Sequence, residues 1–371
     1  MKKPVSLYLD VVRFSAAMAV FISHLGSYPL STNGLVWWRL TTYGTIAVTI
    51  FFVLSGYVIA HVVSTTEKDA SHYFRARAAR LYSVLLFALV LTILFDKLGM
   101  ALDPSLYTFK KVLWKPESWQ GYLSTLFFVD EFQVFRFHGI AAGTNTPLWS
   151  LSFEATYYVI AGLMLFSSKR IWIPASALIL ILAGKTITAL LPVWALGYFI
   201  YNRNIGTRLP KPLLAAGALL TIILIALMPQ ILDSLPKSLS DNFGVWLPWG
   251  EAPFDRDLIG DYLVAALFAI NIICVHNLAS TETHLPAGVQ RFIRRASAVT
   301  FPLYCIHYPA MCFFTAVSPW PTSSMADVTT VFLMVMGLAI AATPVCDQLK
   351  RMLRNLNLHA MPAHGASAAG S

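Results

Sequence analysis

The residues best suited to chemistry lie inside apolar sequence. Arg13 and His24 fall within the first hydrophobic segment, Val5 to Leu25, with Asp10 one turn before Arg13. An arginine at mid-helix in hydrocarbon costs about 2.5–3.5 kcal/mol on insertion scales, so membrane proteins keep such groups for a pathway or a site. Eleven residues at about 100° each return His24 to within ~20° of the Arg13 face, roughly 16 Å further along the helix. Asp10 lies within ~60° of that stripe and is spaced to pair with Arg13. An acid, a base and a titratable imidazole thus share one line, suited to moving protons or holding a polar arm. Two plainer readings stand beside this one. Met1-Lys2-Lys3 before an apolar run also opens secretory signals, but Asp10 and Arg13 interrupt the central region and no clear Ala-x-Ala follows His24. Asp10 and Arg13 could also simply neutralise each other.

A second acid, Glu154, stands in the apolar stretch 148–166. A helix entering from the outer face near Leu148 carries Glu154 about 9 Å inward, while His24 is about 28 Å along a helix that starts near the inner face at Val5. The two are expected at similar depth. Side chains lean toward the N-terminus of their own helix, so on antiparallel neighbours they converge. A dyad follows, with His24 as general base and Glu154 orienting it; such a base contributes typically 10²–10⁴-fold. The plainer reading has Glu154 as an interfacial charge and His24 as an interfacial aromatic.

Arg75, Arg77 and Arg80 surround the expected N-terminus of a third helix, where backbone N–H groups and the dipole favour anions and arginine forks suit phosphate. They are equally what orientation signals look like. Ser55-Gly56-Tyr57 presents a small polar surface that permits either close helix packing or passage of a narrow substrate arm. His307 lies between Pro302 and Pro309, which free backbone groups near mid-membrane, and reads as structural or as part of a substrate path. Asp261 and Asn271 have no assigned role.

The elements that must position these residues are helices. Of 371 residues, 57% are hydrophobic and 12% charged, with a mean hydropathy of +0.64, which excludes an ordinary soluble domain. Apolar stretches recur at 5–25, 42–62, 81–101, 148–166, 171–184, 186–201, 213–230, 258–275, 298–317 and 327–346. Crossing a ~30 Å core takes about 20 residues, so these predict an all-α polytopic membrane protein, a bundle of about ten transmembrane helices. The two short stretches within 171–201 meet at Gly184-Lys185 and read as a tilted hairpin or a re-entrant pair. Placing the N-terminus inside puts 17 of the 27 Lys and Arg residues on the cytoplasmic side and nine at the outer side, with Arg13 within the membrane. This bias predicts both termini cytoplasmic. It also accounts for the formal charge of +9 without nucleic-acid binding.

Cys274, Cys305, Cys312 and Cys346 all fall in apolar stretches and read as small apolar residues, with no disulfide framework and no metal motif. Two outer loops stand out. Residues 102–147 carry Trp114, Trp119, Tyr122, Phe127 and Phe128 and end in small and polar residues from Gly139 to Pro147. Residues 231–257 carry Asp233, Asp241, Glu251, Asp255 and Asp257. The aromatics read as interfacial anchors or as a carbohydrate platform. Residues 1–350 form one transmembrane domain, and 351–371 a short cytoplasmic tail expected to be disordered.

Five boxes in order resemble the integral-membrane acyltransferase family 3, the O-acyltransferases. They are Tyr8-Leu9-Asp10-Val11-Val12-Arg13 with His24; Phe51-Phe52-Val53-Leu54-Ser55-Gly56-Tyr57; Arg75, Arg77 and Arg80; Trp149-Ser150-Leu151-Ser152-Phe153-Glu154; and Tyr304-Cys305-Ile306-His307-Tyr308-Pro309. Two details depart from the family pattern: Ala155 follows Glu154 where a second acid is usual, and the arginines are spaced Arg-x-Arg-x-x-Arg. The resemblance implies a multi-pass enzyme of a bacterial inner membrane. Such an enzyme moves an acyl group, usually acetyl, from cytoplasmic acyl-CoA to a hydroxyl of a surface or secreted glycan. Acyl-CoA is then a donor substrate, not a resident cofactor. Arg75, Arg77, Arg80 and Arg13 would serve its phosphates and arm. Ser55, Gly56, Tyr57, Trp149, Ser150, Ser152, Tyr304 and His307 would line the path or support it. A macrolide or lipid-linked sugar is an alternative acceptor, and a covalent acyl intermediate is left open, as is the oligomeric state. The rival from another class is a transporter or glycan flippase whose intramembrane charges form a proton or substrate path.

Overall fold

The computed structural model describes residues 2–26, 43–108, 119–135, 139–203, 205–206, 208–234, 258–279, 285–322 and 324–355. Among them are thirteen α-helices. These are α1 Lys3–Leu25, α2 Tyr43–Thr65, α3 Ala70–Leu102, α4 Pro104–Thr108, α5 Trp119–Leu126, α6 Ser150–Phe166, α7 Lys169–Ala183, α8 Lys185–Arg203, α9 Lys211–Ala226, α10 Met228–Ser234, α11 Leu258–Leu278, α12 Ala287–Val317 and α13 Met325–Asn355. A 3₁₀ turn, Thr146–Trp149, leads directly into α6. Trp114, most of the acidic loop, the tail beyond Asn355, and Arg39, Arg136 and Arg256 lie outside the described residues.

Among the described residues the ten apolar stretches fall on helices, with 213–230 divided between α9 and α10, and fewer than ten helices qualify as spans. By length and composition, six can cross a membrane: α1, α2, α3, the run Thr146–Phe166, α11 and α13. The pair α9 and α10, bent by 58°, makes a seventh if it counts as one. The others fall short for visible reasons. α7 has only 15 residues, while α8 and α12 are long enough but not apolar enough over any 18-residue window. α7 and α8 form a hairpin around Gly184, which has φ 90°. Its far end is tied to the loop after α5, where Gln133 N–H donates to Ala183 C=O and Val134 N–H to Leu182 C=O. The chain is a multi-pass membrane protein.

One end of the bundle is basic. There Lys2 Nζ reaches the carbonyls of His276 and Ala279 at the close of α11, Arg77 pairs with Glu67, and Arg294 pairs with Asp10 at 3.2 Å. The start of α3 is capped by Asp69, whose carboxylate accepts from His72 N–H at 2.8 Å, in keeping with the preference for Asp at that position. Asp261 and Asn271 prove to be cross-links. Thr49 donates to Asp261, Tyr8 to Asn271, and Asn271 to Ala218 C=O at 2.9 Å, tying α2, α1 and α9 to α11.

Glycine sets the closest helix pair. A Cβ on Gly56 would lie 2.0 Å from the Trp194 carbonyl oxygen, and one on Gly197 would lie 1.9 Å from that of Val53, so α2 and α8 touch backbone to backbone. Gly56 therefore serves packing, while its neighbour Ser55 faces the interior. Gly56→Ala is expected to cost about 1–3 kcal/mol, the usual penalty of overpacking, read as a lower thermal midpoint in detergent. A wild-type midpoint would show that the helices can part at no cost.

Proline places the entrance to α6. Pro309 lacks an N–H, so the carbonyl four residues earlier, Cys305, has no partner within α12. Asn145 Nδ2 fills that place at 2.8 Å and also donates to Thr92 Oγ1 at 3.0 Å. Thr144 N–H and Oγ1 donate to the two oxygens of Asp96 at 2.8 and 2.6 Å. Residues 142–149 are thereby drawn into the bundle, with Ala142 and Leu148 fully buried, and α6 begins below the far surface.

Candidate active site

A narrow cavity of about 70 Å³ lies between α1, α2, α3, α6 and α12. Its polar lining is Arg13, Ser55, Arg80, Ser150, Glu154, Tyr158, Thr300 and Tyr304, and Phe51, Phe52 and Phe301 supply much of the rest. It shares Arg13, Arg80, Thr300 and Phe301 with a chamber of about 300 Å³, to which Asp10, Arg294, Ser297, Asp347 and Lys350 also contribute. Helix rise orders these groups along one axis. Arg294 is about 10 Å into α12 from the basic end, Arg13 and Arg80 about 15 Å into their helices, Tyr304 about 25 Å, and His307 and His24 about 30 Å.

Each charge in this path is held. Asp10 accepts from Arg13 Nη1 at 3.2 Å, from Ser297 Oγ at 3.0 Å and from Arg294 Nη1 at 3.2 Å. The Asp10–Arg13 pairing read from the spacing is present, and Asp10 is shared with a second arginine. Glu154 Oε1 accepts from Tyr158 and from Ser55 Oγ at 3.4 Å, with Arg80 Nη2 3.8 Å away. Trp194 Nε1 donates to Ser55 Oγ at 3.1 Å. Tyr304 donates to the Pro147 carbonyl at 2.9 Å, so Ser150 Oγ is the donor in its 2.6 Å contact with the Tyr304 oxygen. The two lobes together carry four cations (Arg13, Arg80, Arg294, Lys350) and three acids (Asp10, Glu154, Asp347), a net of +1, which favours an anionic occupant.

Of the three arginines read as a phosphate patch, only Arg80 enters the cavity. At 100° per residue, Arg75 and Arg77 face other directions. Arg77 is paired with Glu67, its guanidinium 5.5 Å over the Tyr158 ring, where it braces Tyr158 from behind. Arg75 Nε turns back to the Ser71 carbonyl at 3.3 Å. Tyr57 is also elsewhere, facing His276 across 3.5 Å. Trp149 stands edge-on to Phe153 at 5.1 Å.

The expected His24–Glu154 dyad is not brought together. Glu154 lies beside Arg80 and shares the cavity with Arg13, whereas His24 is roughly 16 Å beyond Arg13 along α1. The estimate of equal depth fails because α6 starts inside the bundle, which carries Glu154 toward the basic end, beside Arg80. What His24 faces instead is α12. Its ring centroid is 5.2 Å from that of His307 and 5.3 Å from that of Tyr308.

Tyr158, Arg294, Lys350 and Asn145 were not singled out by the sequence. Tyr158 had a signal, lying one turn after Glu154 on the same face. Arg294 and Lys350 were counted only as orientation charges, and nothing local marks them. Asn145 is explained only once Pro309 is known to free a carbonyl opposite it.

Ser152 points away from the cavity and donates to Asp130 in the far-end loop. Burial raises the Asp130 carboxyl from 3.8 to about 7, opposed by the Ser152 hydroxyl. Burial, then the neighbouring Asp130 charge, raises Glu131 to about 8. A carboxyl with a raised folded-state pKa favours folding in its protonated form. Its ionisation penalty is absent below the unfolded value, grows as pH rises, and is complete above about 7 to 8. The loop anchor is therefore strongest in acid. Asp130→Asn stays neutral and still accepts from Ser152, so it should flatten the fall in thermal midpoint between about pH 5 and pH 8; an unchanged slope would remove Asp130 from that dependence.

No solved structure matches the chain. A stretch of 157 residues is 32% identical to Acyltransferase MdmB of Streptomyces mycarofaciens, covering 41% of this chain and 37% of that protein, so the match spans little more than a third of the relative. The family model described as an acyltransferase domain matches residues 6–346, which include every residue lining the cavity and all those lining the chamber except Asp347 and Lys350. The chain belongs to that family, the acyltransferase family 3.

Proposed function

We propose that this protein is an inner-membrane O-acyltransferase that takes an acyl group, acetyl in the simplest case, from acyl-CoA at its basic, cytoplasmic end and delivers it to a glycan hydroxyl near the outer end. The observation that carries this reading is the adjoining four-cation chamber and narrow cavity, with the imidazole pair of His24 and His307 about one helical turn beyond Tyr304, which lines the cavity.

The donor suits that axis. Its phosphates match the chamber, where guanidinium forks and an ammonium form charge-assisted bonds. A thin pantetheine arm suits the cavity, with the hydroxyls of Ser55 and Tyr158 available to its amides. The thioester then comes to rest near Tyr304, one helical turn below His307. His24 takes the acceptor hydroxyl proton as the oxygen attacks the thioester carbonyl. The carbon–sulfur bond breaks, and the coenzyme A thiolate recovers the proton from the His24 imidazolium. Glu154 keeps Arg80 neutralised and in place; the base it was expected to orient is at another depth.

The test is to supply purified protein with acetyl-labelled coenzyme A and a panel of mono- and oligosaccharides. Free thiol and labelled sugar should appear together. A transporter or flippase would leave the thioester intact.

A further inference from the structure

His307 has one nitrogen fixed and the other unused. Its Nδ1 lies 3.1 Å from the Leu303 carbonyl and 2.8 Å from that of Tyr304. Carbonyl oxygens only accept, so Nδ1 carries the proton and Nε2 of the neutral ring is a lone-pair acceptor. That Nε2 is buried and has no hydrogen-bond partner among the described residues, although the residue is fully buried. Orphaned acceptors of this kind are rare and are typical of sites completed during function. The ring nearest to it that can donate is His24, at 5.2 Å between centroids. That separation matches an imidazole N–H···N bond of about 2.9 Å, and it closes by a turn about the His24 Cβ–Cγ bond, a torsion that is broad for histidine.

We propose that His307 is the positioning residue for His24: its Nε2 accepts one N–H of the His24 ring, so that the other His24 nitrogen presents its lone pair to the acceptor hydroxyl. The proposal rests on the reading of His24 as the base. When His24 gains the hydroxyl proton, its N–H bond to His307 strengthens, because the donor is now a cation. When the proton passes to the departing thiolate, the neutral pair is restored.

No carboxylate contact to His307 is found among the described residues. Tyr304 and Tyr308 are the titratable neighbours on α12, while α1 presents Phe21, itself stacked on Phe332 of α13. Arg13 and Asp10 on α1 lie about 16 Å or more below, Arg80 on α3 lies at the same level as Arg13, and Asp96 on α3 is engaged by Thr144. Asp327, buried near the start of α13, is the one acid close in depth: it lies about 7 Å outward from Phe332, which stacks on Phe21, and so within about 3 Å of the level of His24.

The test compares His307→Leu with His307→Gln, whose amide oxygen retains an acceptor, using thiol release from acetyl-CoA with the sugar panel. His307→Leu should lower the plateau rate by ~10-fold or more with the donor KM unchanged, since it disturbs the base and not the donor contacts. The acid limb of its rate profile should move to lower pH, because the protonated His24 ring loses an acceptor. His307→Gln should restore most of both. A wild-type rate and acid limb in His307→Leu, in protein whose His24→Ala variant is inactive, overturns the pairing alone. An active His24→Ala overturns the base reading and the pairing with it. If His307→Leu is not recovered as monodisperse protein, His307→Gln decides: near-normal rate and acid limb support the pairing, and loss of both overturns it.

Discussion

His24→Ala is expected to leave a folded, inserted protein in which acyl transfer falls by at least ~10²-fold, the lower end of what a general base supplies. The substitution is mild for the fold. His24 sits in the last turn of α1, is only partly buried, and leaves the chamber residues Asp10, Arg13 and Arg294 in their mutual pairing. Donor KM should therefore stay near the wild-type value while kcat collapses. Interactions made only in the transition state lower kcat without raising KM, which is the signature that separates a base from a binding residue. A well-expressed His24→Ala variant with full activity removes the residue from the mechanism.

The second large effect is expected at Arg80, the one cation that borders the chamber, the cavity and Glu154. Arg80→Gln should raise the donor KM by ~10-fold or more, as loss of a charge-assisted contact does at about 1.5–3 kcal/mol. It should also destabilise the bundle, because Glu154 keeps its Tyr158 and Ser55 donors but loses its counter-charge. The pair is intermediate in exposure, with side chains 30% and 16% accessible, so the cost lies between the surface and fully buried cases, about 2 kcal/mol. Adding Glu154→Gln should recover the stability and leave the donor KM high. Arg75→Gln, whose side chain faces away, should change neither. Equal KM effects for the two arginines would mean that both act only as orientation charges.

What the sequence made legible follows from what its signals measure. Hydropathy located every long helix, because burial in lipid is a property of each segment by itself. The polar line Asp10, Arg13, His24 was readable for the same reason, since all three sit on one helix. The dyad was misplaced because depth depends on where a helix begins, and α6 begins where Asn145 meets the carbonyl freed by Pro309, a contact across 160 residues. The arginine triplet was read as a unit, although helical geometry sends its members to different faces and gives Arg77 to Glu67. Arg294 and Lys350 join the chamber only through packing of α12 and α13 against α1 and α3. Of the ten spans expected, six or seven described helices qualify by length and composition, because stretches of 14 to 20 apolar residues are ambiguous by length alone.

On the proposed route the acyl group travels along the axis from the basic end to His24. The most direct test of that route uses proteoliposomes sorted for one orientation, with acetyl-labelled coenzyme A supplied only at the basic end and the sugar panel trapped on the opposite side. Labelled sugar should appear in the lumen and free thiol outside, and both should be lost in His24→Ala. Label found only on sugars placed on the same side as the donor, with trapped sugars untouched, would contradict it.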